Sequence, residues 1–191
     1  MFLKRSDPYL LVVGMTGVKM GDRLVQIGCA DGGRLAAVAA RVGLSGRAVL
    51  VAPDSASALR GRKGAEDAGV LVEIEEAPPT RLPFEAHAFD VAIVDDTAGL
   101  IATMRAEDRV AALRGIGRVL RDGGRIVLIG AAERGGIGAI LQRAQTGPQF
   151  AGSPLAKEAL EAEGFKAVRT LAERDGLVFV EGIKSGQRTA G

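Results

Sequence analysis

The chain has 191 residues, a length that suggests one domain with room for a substantial core. It is 47% hydrophobic and 25% charged, a balance ordinary for a soluble fold. The formal net charge is only +2, no lysine- or arginine-rich block stands out, and aromatic residues make up 4% with no Trp, which counts against a nucleic-acid binder working by charge or base stacking.

The N-terminal stretch carries one apolar patch, Leu10-Leu11-Val12-Val13. It is far shorter than the roughly 20 residues needed to span a bilayer. It also lacks the cleavage pattern of a secretory signal, so the expected location is the cytoplasm. A helix packed on the sheet edge or on a partner subunit is the favoured reading of the patch, over a substrate lid or a membrane contact. Leu24 to Gly28 reads as the first strand and runs into the glycine-rich turn Gly28-Cys29-Ala30-Asp31-Gly32-Gly33. Arg34 to Val42 follows as a helix, with Leu35, Val38, Ala39 and Val42 at helical spacing. Ala48 to Ala52 is a continuous apolar run, as in a strand buried on both faces of a parallel sheet. Asp54 or Ser55 caps a helix that stops at Gly69, and Val70 to Ile74 is the third strand.

Pro78, Pro79 and Pro83 mark the next segment as a loop. Phe89 to Val94 is the fourth strand and ends at Asp95-Asp96. A helix covers roughly 106–120, and Asp122-Gly123-Gly124 turns into the fifth strand, Arg125 to Ile129. The glycine-rich segment 130–152 holds one short helix near Ile137 to Gln145. Ser153-Pro154 starts a helix that ends at Gly164. Phe165 to Leu171 and Leu177 to Ile183 are two strands joined through Arg174-Asp175-Gly176, a connection short enough to make them antiparallel. Residues 185–191 read as a disordered tail and 1–184 as a single domain. The whole is an α/β, Rossmann-like, open and mostly parallel seven-stranded sheet with a C-terminal antiparallel hairpin. Such sheets bind ligands beyond the carboxyl ends of their strands, where the strand order switches. The loops 28–33, 52–55, 76–81 and 95–97 converge there.

The segment Lys19 to Gly32, then Leu82-Pro83-Phe84 followed by Phe89 to Val94, then Val119 to Ile129, stand in one order and spacing. In these landmarks the chain resembles the class I S-adenosylmethionine (SAM)-dependent methyltransferases, and the small "type 11" members most closely. The likeness covers about Val18 to Lys184. It implies a SAM site built from Gln26, Gly28, Cys29, Ala30, Asp31 and Gly32, from Ala52, Pro53 and Asp54 near the ribose, from Pro78 and Pro79 near the adenine, and from Asp95 near the methionine end.

Several of these positions depart from the family pattern. Gln26 stands where an acid is usual, and Ala30 stands at the second glycine. Ala52 replaces the acid that holds the ribose hydroxyls, with Asp54 two residues later, and Pro78 falls where an aspartate usually meets the adenine amine. Each lost charge-assisted hydrogen bond is worth roughly 1.5–3 kcal/mol. The Ala30 methyl would crowd a backbone that lies close to the ligand. The departures together imply SAM binding that is weak or lost, unless Asp54 reaches the ribose in place of Ala52. The Gly-x-Gly-x-x-Gly dinucleotide fingerprint fails at Ala30 and at Ala52.

The remaining candidates each have a bland counterpart. Asp95-Asp96 is either a ligand contact or a solvated acidic turn. His87, the only histidine, reads as an exposed loop residue rather than a general base. Cys29, the only cysteine, excludes a disulfide within the chain; it reads as a small buried filler rather than a reactive thiol. The single cysteine argues against a cysteine-based metal site, and no catalytic residue is assigned, because methyl transfer to a nucleophilic acceptor can proceed by positioning alone. The 134–138 region is where such folds place substrate-binding insertions. Two functions are expected in competition: a SAM-dependent methyltransferase acting on a small molecule, or a non-catalytic binding or scaffold subunit, alone as a homo-oligomer or with a partner. A cleft filled by Arg60, Arg81 or Pro79 would favour the second.

Overall fold

The computed structural model describes residues 7–132 and 150–186. The elements run α1 (Leu10–Thr16), β1 (Arg23–Ile27), α2 (Gly32–Ala39) with a 3-10 turn at Ala40–Val42, β2 (Arg47–Ala52), α3 (Ser55–Ala68), β3 (Glu73–Glu76), β4 (Phe89–Asp95), α4 (Ala106–Val119), β5 (Leu120–Ala131), α5 (Pro154–Ala162), β6 (Phe165–Arg174) and β7 (Leu177–Lys184). The expected short helix near 137–145, the 134–138 insertion and most of the 185–191 tail lie outside the described residues.

The seven strands form one sheet in the order β3-β2-β1-β4-β5-β7-β6. β7 is antiparallel to both β5 and β6; the other pairings are parallel. The strand order reverses between β1 and β4, so the turns after these two strands open one crevice. Helices cover both faces. Val25, Ile27 and Val94 point to the face carrying Leu113, Ile116 and Leu160 of α4 and α5. Leu24 and Ile93 point to the opposite face with Val12 and Val38 of α1 and α2. This alternation along neighbouring residues is what the pleat imposes on a strand with apolar cover on both sides. The Leu10–Val13 patch therefore packs on a sheet face rather than the sheet edge. Among the described residues no helix is long and apolar enough to cross a membrane.

Two elements differ from the sequence expectation. The third strand starts at Glu73 rather than Val70, because Val70 and Val72 face the core before the chain comes alongside β2, where Glu73 pairs with Val49. As an edge strand with exposed glutamates it carries no strong apolar signal. The fifth strand begins at Leu120, directly after α4, and the Asp122-Gly123-Gly124 turn is an irregularity within it. Leu120 pairs with Phe89 and the ladder resumes at Arg125 opposite Val91, with Gly123 at φ +72°. Asp90 fastens this end of the sheet. It accepts Arg23 Nε at 3.1 Å and Arg121 Nε at 2.6 Å, and these guanidiniums hold its carboxyl well below the usual carboxylate range.

Candidate functional site

The β1 turn is shaped by its own backbone and by two side chains. Gly28 adopts φ +80°, and its N–H donates to the Val51 carbonyl at 2.9 Å. A Cβ there would meet Leu100 Cδ2 at 2.6 Å and the Asp95 carbonyl at 3.2 Å, so the position requires glycine on two counts. Gln26 is 2% exposed, and its Nε2 donates to the Gly28 carbonyl at 2.9 Å. The amide that replaces an acid thus braces the turn from below. Asp31 caps α2, accepting the Arg34 N–H at 3.1 Å, and takes the Tyr9 hydroxyl at 3.1 Å. Gly32 lies against α3 so closely that a Cβ would strike the Arg60 carbonyl and Gly64 Cα.

Asp95, at the end of β4, is the hub of the crevice. Its Oδ2 accepts the Ala30 N–H at 2.9 Å. Its Oδ1 accepts Arg34 Nη1 at 3.2 Å, the Thr97 hydroxyl at 2.6 Å and the Thr97 N–H at 3.3 Å. Asp96 is 4% exposed; its Oδ1 accepts the Ile101 and Ala102 N–H groups at 2.6 and 3.2 Å, while Oδ2 is buried without a partner. Burial pushes the Asp96 carboxyl above the ordinary aspartate range. Neither residue is the solvated turn of the bland reading: both are buried and both order the loop that follows β4.

At the end of β2, Asp54 caps α3 by accepting the Ser57 N–H at 2.7 Å. Ala52 is fully buried among Cys29, Leu35, Leu50 and Ala58 and offers no polar group from its side chain. Between β1, β2 and β4 lies a cleft of about 210 Å³ lined by Gly28, Cys29, Ala30, Pro53, Asp54, Ser57, Arg60, Asp95, Ala98, Gly99, Leu100 and Thr103. Six expected residues thus meet there: Gly28, Cys29, Ala30, Pro53, Asp54 and Asp95. Gln26, Asp31, Gly32, Ala52, Pro78 and Pro79 are not among its lining residues. Pro78 is exposed and Pro79 buried, and the Ala77 N–H donates to the Ala52 carbonyl at 3.1 Å.

The sequence reading missed Ser57 and the loop 98–103. Ser57 is 2% exposed, and its Oγ is buried without a partner. A signal for it exists: it stands three residues after the Asp54 cap, in the first turn of the helix that leaves the crevice. Arg60 also lines the cleft, with Nε donating to the Cys29 carbonyl at 2.8 Å. Arg81 and Pro79 do not line it. Cys29 is 3% exposed, and burial, with the Asp95 charge, pushes its thiol up to about 11, which matches the buried-filler reading. His87 is exposed at the other end of the sheet, 3.5 Å from Lys184 Nζ.

A family described as "Methyltransferase domain" matches residues 24–124. A ubiquinone/menaquinone biosynthesis C-methyltransferase of Idiomarina loihiensis is 29% identical over 119 residues, covering 61% of this chain and 45% of that protein. The protein of the same description from Azotobacter vinelandii is 30% identical over 163 residues, covering 84% and 61%. The chain therefore spans about half the length of these curated relatives. A solved SAM-dependent methyltransferase from Aquifex aeolicus superposes with a TM-score of 0.70 at 15% identity, covering 91% of this chain and 88% of that one, a likeness of fold.

Proposed function

Because the chain belongs to the methyltransferase-domain family of class I SAM-dependent methyltransferases, we propose that it transfers a methyl group from SAM to a small molecule through the cleft between β1, β2 and β4. The observation that carries this reading is the pair of polar groups at the β2 end of that cleft. The Ser57 hydroxyl is buried and unpaired, and the Asp54 carboxylate stands beside it on an exposed cap. Both suit ribose hydroxyls, so the residues present fit the nucleoside part of SAM, with Asp54 in the role the family gives to the residue at Ala52. Bound SAM supplies an electrophilic methyl group on a sulfonium.

The chain's own residues contribute position and exclusion. Gly28 lets the backbone turn beside the ligand, and Leu100 and Arg60 line the cleft. No residue in the cleft is needed as a base where the acceptor is already nucleophilic. The names of the curated relatives make an electron-rich ring of the reduced-quinone type the first acceptor class to try. The cytoplasm is the proposed location. Titration calorimetry with SAM and S-adenosylhomocysteine tests the reading: heats from both are expected, and no binding of either at millimolar concentration would overturn it.

A second reading, a binding or scaffold subunit with weak or lost SAM affinity, is favoured by two features of the cleft: Arg60 lines it, and its volume is small. The cleft holds about 210 Å³, below the roughly 300 Å³ at which ligand pockets usually begin. Methyl transfer by the purified chain alone would rule this reading out.

A further inference from the structure

On its β4 side the cleft is walled by one loop, from which Ala98, Gly99, Leu100 and Thr103 line it. Two side chains that are not among the lining residues hold this loop from opposite sides. From the sheet, Asp96 reaches it with its carbonyl and its carboxylate. The carbonyl accepts the Gly99 N–H at 2.8 Å, and Oδ1 accepts the Ile101 N–H at 2.6 Å and the Ala102 N–H at 3.2 Å. The Asp96 N–H is itself anchored to the Ile129 carbonyl of β5 at 2.8 Å. From α4, Arg109 takes the carbonyls of the same stretch. Its Nη2 donates to the Met104 carbonyl at 3.1 Å, and longer contacts reach the Ile101 and Ala102 carbonyls at 3.4 and 3.5 Å. The Phe150 ring backs the guanidinium at 4.7 Å.

Neither residue stands where stability alone would put it. Asp96 is 4% exposed with Oδ2 unpartnered, and an unsatisfied buried carboxyl oxygen costs folding free energy. Arg109 stands near the start of α4, beside a helix N-terminus that disfavours a cation. What the two hold in common is the wall. Leu100 lies directly against the β1 turn, where a Cβ on Gly28 would meet its Cδ2 at 2.6 Å. Thr103 turns its N–H and its hydroxyl back to the Gly99 carbonyl at 3.0 and 2.9 Å. A short loop outside the sheet ladder loses order when a holder is removed, and ordering it again on binding costs affinity.

We propose that Asp96 and Arg109 are positioning residues of the methyl-transfer site, which hold loop 98–103 as a preformed wall against the β1 turn and act on the ligand through Leu100. This role rests on the SAM reading above and adds to it two residues that do not line the cleft.

Calorimetry of the full chain with S-adenosylhomocysteine tests the role. Asp96→Ala and Arg109→Met are each expected to weaken binding by about tenfold, the scale of ordering one or two freed side chains. Arg109→Met keeps the alkyl stem and serves if Asp96→Ala folds poorly. Leu100→Ala is expected to cost about as much, and Leu100→Ala combined with Arg109→Met no more than about twofold beyond Leu100→Ala alone, because the same wall is lost only once. Independent residues would multiply to about a hundredfold loss in the double variant, and that result would overturn the proposal. Wild-type affinity in both Asp96→Ala and Arg109→Met would also overturn it, since a merely structural pair lowers the melting temperature and leaves the dissociation constant unchanged. Both of these results leave the SAM reading standing. No binding of S-adenosylhomocysteine by the wild-type chain at millimolar concentration would remove the SAM reading and the proposal together.

Discussion

The carboxylate of Asp95 accepts the backbone N–H of Ala30 at 2.9 Å, across 65 residues of sequence. The contact joins the end of β4 to the turn after β1, the two strands that flank the switch in sheet order. It also explains how an alanine sits in a turn that resembles a glycine loop. Ala30 is half-buried, and its amide faces a fixed internal partner.

Asp95→Ala is expected to destabilise the protein by about 3 kcal/mol, because the nearly buried Arg34 guanidinium would keep only the Thr97 hydroxyl and Asp31 at 4.0 Å as partners. The Arg34 side chain is only 12% exposed and has few alternatives. Urea unfolding followed by circular dichroism measures this. A loss under about 0.5 kcal/mol would mean the cluster is a weakly coupled surface network.

Gly64→Ala and Gly14→Ala are expected to act in opposite directions. A Cβ on Gly64 runs into the backbone of Gly32, where neither helix can yield locally, so overpacking should cost about 1–3 kcal/mol. Gly14 lies within α1 with nothing near its would-be Cβ, so alanine there should add roughly 0.5 kcal/mol from helix propensity. Thermal unfolding of both variants checks the pair, and a stabilised Gly64→Ala would show that α2 and α3 are not in backbone contact.

The thiol of Cys29 is expected to resist labelling in the native state. With its pKa raised to about 11 by burial and by Asp95, the thiolate fraction at pH 8 is roughly one in a thousand. Reaction with an aromatic disulfide reagent should be slow in buffer and complete in denaturant. Rapid native labelling would place Cys29 on an open surface.

Asp96→Asn is expected to be more stabilising as pH rises. Burial raises the folded-state pKa of Asp96 above its unfolded value of about 3.9. A carboxyl raised in this way contributes stability that is fully present below the unfolded pKa and lost as pH climbs through the folded pKa. Asparagine keeps the acceptor for the Ile101 and Ala102 amides without the buried charge. Unfolding free energies of the two proteins between pH 4 and pH 8 should diverge in favour of the variant. A constant difference would mean that the Asp96 carboxyl titrates alike in the folded and the unfolded chain.

Much of the fold was legible because it is written in local patterns. The apolar run at Ala48–Ala52 demanded a doubly covered strand, and the Asp54 cap with Gly69 delimited α3 within one residue. β3 was misplaced because an edge strand is half solvated and its glutamates carry no apolar period. The start of β5 was missed because a bulge at Gly123 lets a turn sequence sit inside a strand.

The sequence by itself determined the family, the order of the elements and the crevice at which Gly28, Asp54 and Asp95 meet, since periodicity, caps and glycine turns are properties of neighbouring residues. Only the tertiary structure decided which polar groups in that crevice are spent and which are free. Asp95 finds Ala30 and Arg34, Gln26 turns back onto Gly28, and Ser57 is left without a partner. Hydrogen bonds between segments brought together by packing depend on distances that no local pattern encodes. That is why the losses at Ala30 and Ala52 looked decisive in the sequence, while Ser57, three residues beyond a helix cap, drew no notice.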